Sequence, residues 1–131
     1  MTARKFGAFM AVCVTAFCVQ AENRTWTGGG GDAKWSTAGN WGGTAPTTND
    51  TLTFSGTTQL VSTNDLPEDI PVAGITFNSG AGAFTLNGNR IALGGNVTNL
   101  STSSQALNLA LSLQATRVFD ASNGAITVNG A

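Results

Sequence analysis

This chain of 131 residues lacks histidine altogether, and charged residues make up only 10% of it. Without an imidazole, neither a Ser-His or Cys-His nucleophile nor a histidine metal site can be built. Six basic residues are set against seven acidic ones, so the sequence offers no basic patch of the kind that nucleic acid or an anionic membrane requires. We therefore expect no nucleic-acid partner and no membrane contact by the mature segment.

Cysteine is equally scarce: Cys13 and Cys18 are the only two, and both lie in an apolar run from Phe6 to Val19. A basic pair precedes the run, and small residues up to Ala21 follow it, in the order of a secretory signal peptide. The sequence therefore predicts a helical signal peptide over residues 1–21, cleaved after Ala21. The mature chain would hold no cysteine, which excludes a disulfide and a thiolate metal site.

An internal repeat dominates the rest of the chain. Phe77–Gly88, FNSGAGAFTLNG, returns 42 residues later as Phe119–Gly130, FDASNGAITVNG. Leu86, Leu107 and Val128 are each 21 residues apart, which indicates a unit of about 21 residues and an echo of two units. A fixed period of this kind is typical of stacked repeats. We expect these three side chains to form one dry interior file.

Short alternating strands separated by Asn-Gly corners predict an all-β fold, with residues 51–131 winding into the stacked turns of a parallel β-helix. Thr51–Phe54 reads as the first good strand, and Leu107–Leu113 as one continuous alternating strand. The two prolines of the loop Asn64–Pro71 argue against a central strand there. Phe54, Phe77 and Phe119 fall near a common spacing if Val97 or Asn99 fills the intermediate turn. An antiparallel β-sandwich is the alternative fold, because it too has short, closely spaced strands.

Residues 22–50 differ in character, being rich in glycine and containing Trp26, Trp35 and Trp41. One interpretation is an N-terminal cap, in which the indoles cover the open first turn of the coil. The other is a carbohydrate-binding surface, because an indole face can stack on a sugar ring. Burial of all three indoles would argue against the second interpretation.

The carboxylates offer little for chemistry. Asp65, Glu68 and Asp69 are close in sequence, but adjacent loop carboxylates are usually just solvated, and neither a catalytic pair nor a calcium site is predicted from them. Gly28–Asp32 comes near a Gly-Asp calcium repeat but is out of register and occurs once. The sequence therefore predicts no catalytic residue, no metal site and no cofactor.

Asparagine also follows the period, at Asn87, Asn108 and Asn129. Amide side chains in the same position of stacked strands can bond to one another along the stack. We expect these three residues to form such a ladder.

The combination of signal peptide, Trp-x-Gly-Gly at Trp26, Asn40-Trp41, Pro46 and Asp50, followed by ITFNSGAGAFTLNGN and a Leu-rich strand, resembles a known bacterial family. It is similar to the N-terminal passenger region of proteins with autotransporter-associated β-strand repeats, over most of residues 24–131. The resemblance implies a right-handed parallel β-helix that is displayed on, or released from, the cell surface. It brings no catalytic residues.

The chain departs from the family pattern in lacking tyrosine, and with it the family's Asn-x-Tyr-x-Gly-x-Thr unit. From the resemblance we expect an exported, non-catalytic scaffold for structure or adhesion at the bacterial outer surface. We also expect it to continue into further repeats and a C-terminal export or sorting domain. The alternative function is a carbohydrate-binding module, with surface glycans as the candidate partners.

Overall fold

The computed structural model describes residues 20–131, so the predicted signal peptide lies outside the described residues except for Gln20 and Ala21. This part of the chain consists of short strands and a single 3₁₀ helix. The elements in order are β1 Asn23–Trp26, the 3₁₀ helix Ala38–Trp41, β2 Asp50–Phe54, β3 Val61–Asn64, β4 Ile70–Phe77, β5 Thr85–Gly88, β6 Ile91–Leu93, β7 Val97–Asn99, β8 Gln105–Leu107, β9 Leu111–Leu113, β10 Phe119–Asp120 and β11 Ile126–Val128.

Every strand pairing in this part of the chain is parallel. One sheet runs β1-β2-β4-β6-β9, with β7 pairing β4 and β10, and the other runs β11-β8-β5-β3. The strands belong to stacked coils, about four turns of roughly 22 residues each, and so form a β-solenoid. The predicted parallel β-helix architecture is confirmed, and the antiparallel sandwich is wrong. The stacked turns were predicted to begin at residue 51, but the sheet begins at Asn23, where β1 pairs with β2.

The predicted interior file is present in register but is only partly dry. Leu86 lies opposite Leu107, and Leu107 lies opposite Val128. Leu86 and Leu107 are fully buried, whereas Val128 is 45% exposed. The prediction of a dry position is therefore wrong for Val128, because in the described chain no turn packs over it.

The aromatic residues do not share a single file. Phe54 lies opposite Phe77, which in turn lies opposite Asn99. Phe119 instead lies opposite Val97, in the neighbouring file. The turns differ in length, since 23 residues separate Phe54 from Phe77 but 22 separate Phe77 from Asn99. The two turns from Ile75 through Val97 to Phe119 take 22 residues each, 44 in all, so the 42-residue echo in sequence places Phe119 two positions away from the file of Phe77.

Pro71 is part of a strand, contrary to the sequence-based expectation. It lies in β4 opposite Ala92 of β6, while the pairing of β4 with β2 begins only at Val72, next to a register shift after Asp50. The Pro71 carbonyl accepts from the Asn49 N–H, so its ring nitrogen faces the loop before β2, where no ladder bond is required. Proline is tolerated at such strand beginnings and irregularities.

The run Leu107–Leu113 is likewise two strands rather than one. The backbone N–H groups of Asn108 and Leu109 both donate to the Leu86 carbonyl, which bends the chain into a corner between β8 and β9. Leu109 is buried at this corner, but Leu113 is 49% exposed. Alternation of apolar residues therefore did not distinguish a straight strand from two strands joined by a corner.

The hydrophobic core fills the space between the two sheets. Each Leu, Ile, Val or Phe buried there stabilises the fold by roughly 1.5–3 kcal/mol. Its fully buried large side chains are Trp26, Trp35, Leu52, Phe54, Ile75, Phe77, Phe84, Leu86, Ile91, Leu93, Leu107 and Leu109.

Candidate functional site

No cavity opens in the part of the chain that the structure describes. Among residues 20–131, no three acidic, histidine or cysteine side chains come close enough together to hold a metal ion. No helix described here is long and apolar enough to cross a bilayer. The candidate sites are therefore the two ends of the solenoid, the acidic loop and the polar files on the outer faces.

The three indoles lie inside the N-terminal end. Trp26 and Trp35 are fully buried, and Trp41 is 5% exposed. Their rings surround Phe54, with centroid distances of 6.0 Å for Trp26 and for Trp35 and 5.7 Å for Trp41. None of them presents a free face to solvent, which argues against the hypothesis that these residues contact a sugar ring. The indoles instead cover the core at the first turn, as a cap would.

Each indole N–H is also occupied. Trp26 Nε1 donates to the Gln59 carbonyl at 3.2 Å, and Trp35 Nε1 donates to Ser62 Oγ at 3.0 Å. Trp41 Nε1 donates to the carbonyl of Trp35 at 2.8 Å. A buried polar group without a partner would cost free energy, and these bonds remove that cost. They also fix the orientation of the rings.

A buried amide holds the glycine-rich loop of the cap together. Asn40 is fully buried; its Oδ1 accepts from the Gly30 N–H at 2.8 Å, and its Nδ2 donates to the Lys34 carbonyl at 2.9 Å and to Asp32 Oδ1 at 3.0 Å. Asp32 also accepts from the Lys34 N–H and the Thr37 hydroxyl, and these bonds lower the pKa of Asp32. The Asp32 carboxylate thus forms hydrogen bonds within its own loop. Sequence reasoning missed the role of Asn40, although its partners Gly30, Asp32 and Lys34 lie within ten residues of it, because a run of turn residues does not show which amide becomes buried.

A buried carboxylate lies at the start of β2. The Asp50 side chain is inaccessible to solvent, and its Oδ2 accepts from Arg24 Nε at 2.9 Å and from the Thr47 N–H at 2.9 Å. Its Oδ1 accepts from the Glu22 N–H at 2.8 Å. Burial by itself would raise the pKa of Asp50, but the hydrogen bonds from Glu22, Thr47 and Arg24 outweigh it and the pKa is lowered.

The acidic loop does not form a cluster. Asp65 accepts from the backbone N–H and the hydroxyl of Ser36, and Asp69 forms an ion pair with Arg90. Burial would raise the pKa of Asp65, but the bonds from Ser36 outweigh it, and the hydrogen bond from Arg90 lowers the pKa of Asp69. These carboxylates connect the loop to neighbouring turns, and with Glu68 they do not converge on one point.

The predicted amide ladder is confirmed on the outer side of the second sheet. Asn108 Nδ2 donates to Asn87 Oδ1, and Asn129 Nδ2 donates to Asn108 Oδ1, both at 2.9 Å. The other sheet carries a file of threonines in register on its outer side. Its members are Thr25, Thr53, Thr76 and Thr98, of which Thr53 is only 8% exposed.

A second polar cluster lies inside a corner and was missed by sequence reasoning. Asn99, Ser101 and Gln105 are all at most 1% exposed. Gln105 Oε1 accepts from the Phe84 N–H at 2.8 Å, and Ser101 Oγ donates to the Ala81 carbonyl. In the described chain, no buried side-chain nitrogen or oxygen lacks a partner, so this cluster leaves no group to bind a ligand.

The C-terminal end contrasts with the N-terminal one, because the last turn leaves apolar side chains in solvent. Leu113, Val118 and Val128 are 49%, 57% and 45% exposed.

Comparison with family models, with curated proteins and with solved structures found no match to this chain.

Proposed function

We propose that this chain is an exported, non-catalytic β-solenoid segment that serves as a surface-displayed scaffold for structure or adhesion. The observation that carries the proposal is the stack of parallel turns whose first turn is covered by three indoles. Such a stack is a rigid body that exposes its sides along its whole length, as a stalk or a display platform requires.

The outer faces support the same proposal. They carry amide and hydroxyl files rather than strong charge, as in Asn87, Asn108 and Asn129. Neutral polar groups of this kind remain hydrated and are little affected by salt, which suits a protein outside the cell. The predicted signal peptide and the family resemblance also support a location at the bacterial outer surface.

A carbohydrate-binding module based on the indoles is not favoured, because Trp26, Trp35 and Trp41 are buried. Surface glycans remain candidate partners of the proposed adhesion role, but they would have to contact the amide and hydroxyl files on the sides. The proposal also includes continuation into further repeats and a C-terminal export or sorting domain. The mass of the protein recovered from its own source tests that part.

Expression of the chain from its first residue in a Gram-negative host tests the central part of the proposal. We expect the chain to leave the cytoplasm and to be found outside the inner membrane. Antibody or added protease should reach it after the outer membrane has been permeabilised. Val14→Asp, in the apolar run of the predicted leader, should retain it in the cytoplasm, whereas Val61→Asp, at an exposed position of β3, should not. Retention of the unaltered chain in the cytoplasm, with its leader intact, would contradict the proposal.

A further inference from the structure

The buried carboxylate of Asp50 has one oxygen with a single partner. Oδ2 accepts from Arg24 Nε, the Thr47 N–H and, at 3.1 Å, the Thr47 hydroxyl. Oδ1 accepts only from the backbone nitrogen of Glu22, at 2.8 Å. An inaccessible carboxylate is stabilised most by a second positive charge on the oxygen that has fewer bonds.

The backbone nitrogen of Glu22 is the atom that cleavage after Ala21 would free. Gln20 and Ala21 are both exposed, so the bond between Ala21 and Glu22 lies at the surface. Hydrolysis adds one water across this bond: the Ala21 carboxylate leaves with the leader, and the Glu22 nitrogen becomes an α-ammonium group. The same nitrogen then carries a positive charge instead of a single amide hydrogen.

We infer that removal of the leader after Ala21 places the new α-ammonium group of Glu22 against the Asp50 carboxylate. The resulting ion pair stabilises the pairing of β1 with β2. The inference rests on the processing that is part of the proposed function, and it adds a role for the new N-terminus. Cleavage would then have a folding consequence as well as a targeting one.

The position of Glu22 does not depend on the leader. Its carbonyl accepts from the Thr51 N–H at 2.9 Å, and the following residues pair in register with β2 from Asn23 opposite Thr51 onward. The nitrogen is therefore held beside Asp50 by the sheet itself. A cation formed there needs no rearrangement to reach the carboxylate.

The local charge balance favours a cation at this place. Arg24 contacts two carboxylates, Asp50 at 2.9 Å and Glu22 at 2.9 Å. Two negative charges thus share one guanidinium, and the group as a whole carries one excess negative charge. An α-ammonium at Glu22 neutralises the excess. The remaining ion pair in the described chain, Arg90 with Asp69, belongs to later turns.

The pH dependence follows from the sign of the pKa change. An α-amino group has an ordinary pKa of about 7.7–8.0, and pairing with a carboxylate raises it. The stabilisation is therefore fully present below about pH 7.5 and is lost as the pH rises through the raised pKa. The charged groups facing the new N-terminus are Asp50, Arg24 and the Glu22 side chain. Asp50 stays ionised over this range because its pKa is lowered.

The experiment compares two exported proteins, both expressed with the complete leader. One is the natural chain, and the other carries Gly-Ser inserted between Ala21 and Glu22, so that the same cleavage leaves Glu22 as an internal amide. We expect the inserted protein to have a thermal midpoint lower by about 5 °C near pH 6.5. The gap should close by about pH 10, where the α-amine is neutral. Equal midpoints near pH 6.5, or a gap that persists at about pH 10, would overturn the inference.

Two further readouts separate this inference from its premise. Mass spectrometry of the mature protein should give Glu22 as the first residue. Export with cleavage elsewhere overturns the inference while the surface role stands, and an uncleaved chain in the cytoplasm overturns both. Acetylation of the mature α-amine should reproduce the lower midpoint of the inserted protein. In an Asp50→Asn background, acetylation and insertion should leave the midpoint unchanged.

Discussion

The two ends of the solenoid are built on the same strand register but differ in how they treat apolar side chains. At the first turn, Trp26 and Trp35 are fully buried over Phe54. At the last turn, Leu113 lies opposite the buried Leu93 and Val128 lies opposite the buried Leu107, yet 49% and 45% of their surface is exposed. Parallel register therefore sets which side chains point inward, but burial requires a further layer on both sides.

This difference means that positions of one file have a different energetic value in the middle of the stack and at its last described turn. Leu86 and Leu107 lie between turns and contribute the full burial of a leucine, roughly 1.5–3 kcal/mol each. Val128 continues the same file but is covered on one side only. We therefore expect stability to decrease along the chain from the covered end to the exposed one.

The largest effect is expected from Trp35→Ala. The substitution removes a fully buried indole and leaves a cavity beside Phe54, so we expect a loss of about 4 kcal/mol in the free energy of unfolding. Denaturant unfolding followed by circular dichroism measures it. At the other end, Val128→Ala removes a smaller, half-exposed side chain and should cost below about 0.5 kcal/mol. Comparable losses for the two variants would remove the contrast between the ends.

Asp50→Asn should cost about 3 kcal/mol, because it leaves Arg24 without its buried partner. The pKa of Asp50 is lowered in the folded state, so its stabilisation is present above the ordinary value of about 3.9 and is lost as the pH falls through the folded pKa. Asp50→Asn should therefore make stability less dependent on pH below about pH 4. Asp120→Asn, on the last turn, serves as the control and should change that dependence much less. An acid profile unaltered by Asp50→Asn would contradict the assignment.

A smaller contrast is expected between two glycines at equivalent corners. Gly88 has φ +104°, and a Cβ there would lie 2.3 Å from the Asn64 carbonyl oxygen, between two turns. Gly88→Ala should therefore cost about 2 kcal/mol. At Gly130 a Cβ would lie 2.0 Å from the Leu109 oxygen, but Gly130 does not lie between two described turns and its φ is not positive, so a backbone shift can relieve the contact. Gly130→Ala should cost about 0.5 kcal/mol, by the same unfolding measurement. A larger loss at Gly130 would show that the last turn is held more tightly than its exposure indicates.

The amide ladder gives the smallest effect. Asn108→Ala removes two side-chain hydrogen bonds and should cost about 1 kcal/mol, while Asn129→Ala removes one and should cost about half as much. Each variant is compared with the natural chain by chemical denaturation. If the two losses are equal, the ladder does not act as a continuous file.

The periodic features of the fold could be predicted from the sequence. The 21-residue spacing of Leu86, Leu107 and Val128 predicted their register, and the same period predicted the amide ladder. Periodicity succeeds here because identical positions of successive turns lie directly above one another. Burial of the three indoles agrees with their interpretation as a cap. The sequence alone left this interpretation and the carbohydrate-binding surface both open.

The non-periodic features could not be predicted. Pro71 is part of a strand because the ladder to β2 begins one residue later, and Phe119 lies in another file because two turns of this sheet take 44 residues rather than the 42 of the repeat. The contacts of Asp50 join segments far apart in sequence, because its partners Glu22 and Arg24 precede it by 28 and 26 residues. These features depend on how many residues each corner between two strands takes, and the local sequence does not reveal that number.

Hydrogen–deuterium exchange along the chain of 131 residues tests the central claim most directly. We expect the slowest amide exchange in β2–β5, which lie between the capped end and the middle turns, and the fastest in β9–β11, with Leu86 protected far more than Val128. Protection of β11 equal to that of β5, or fastest exchange in β1 beneath the indoles, would contradict a solenoid that is closed at its first turn and exposed at its last described turn.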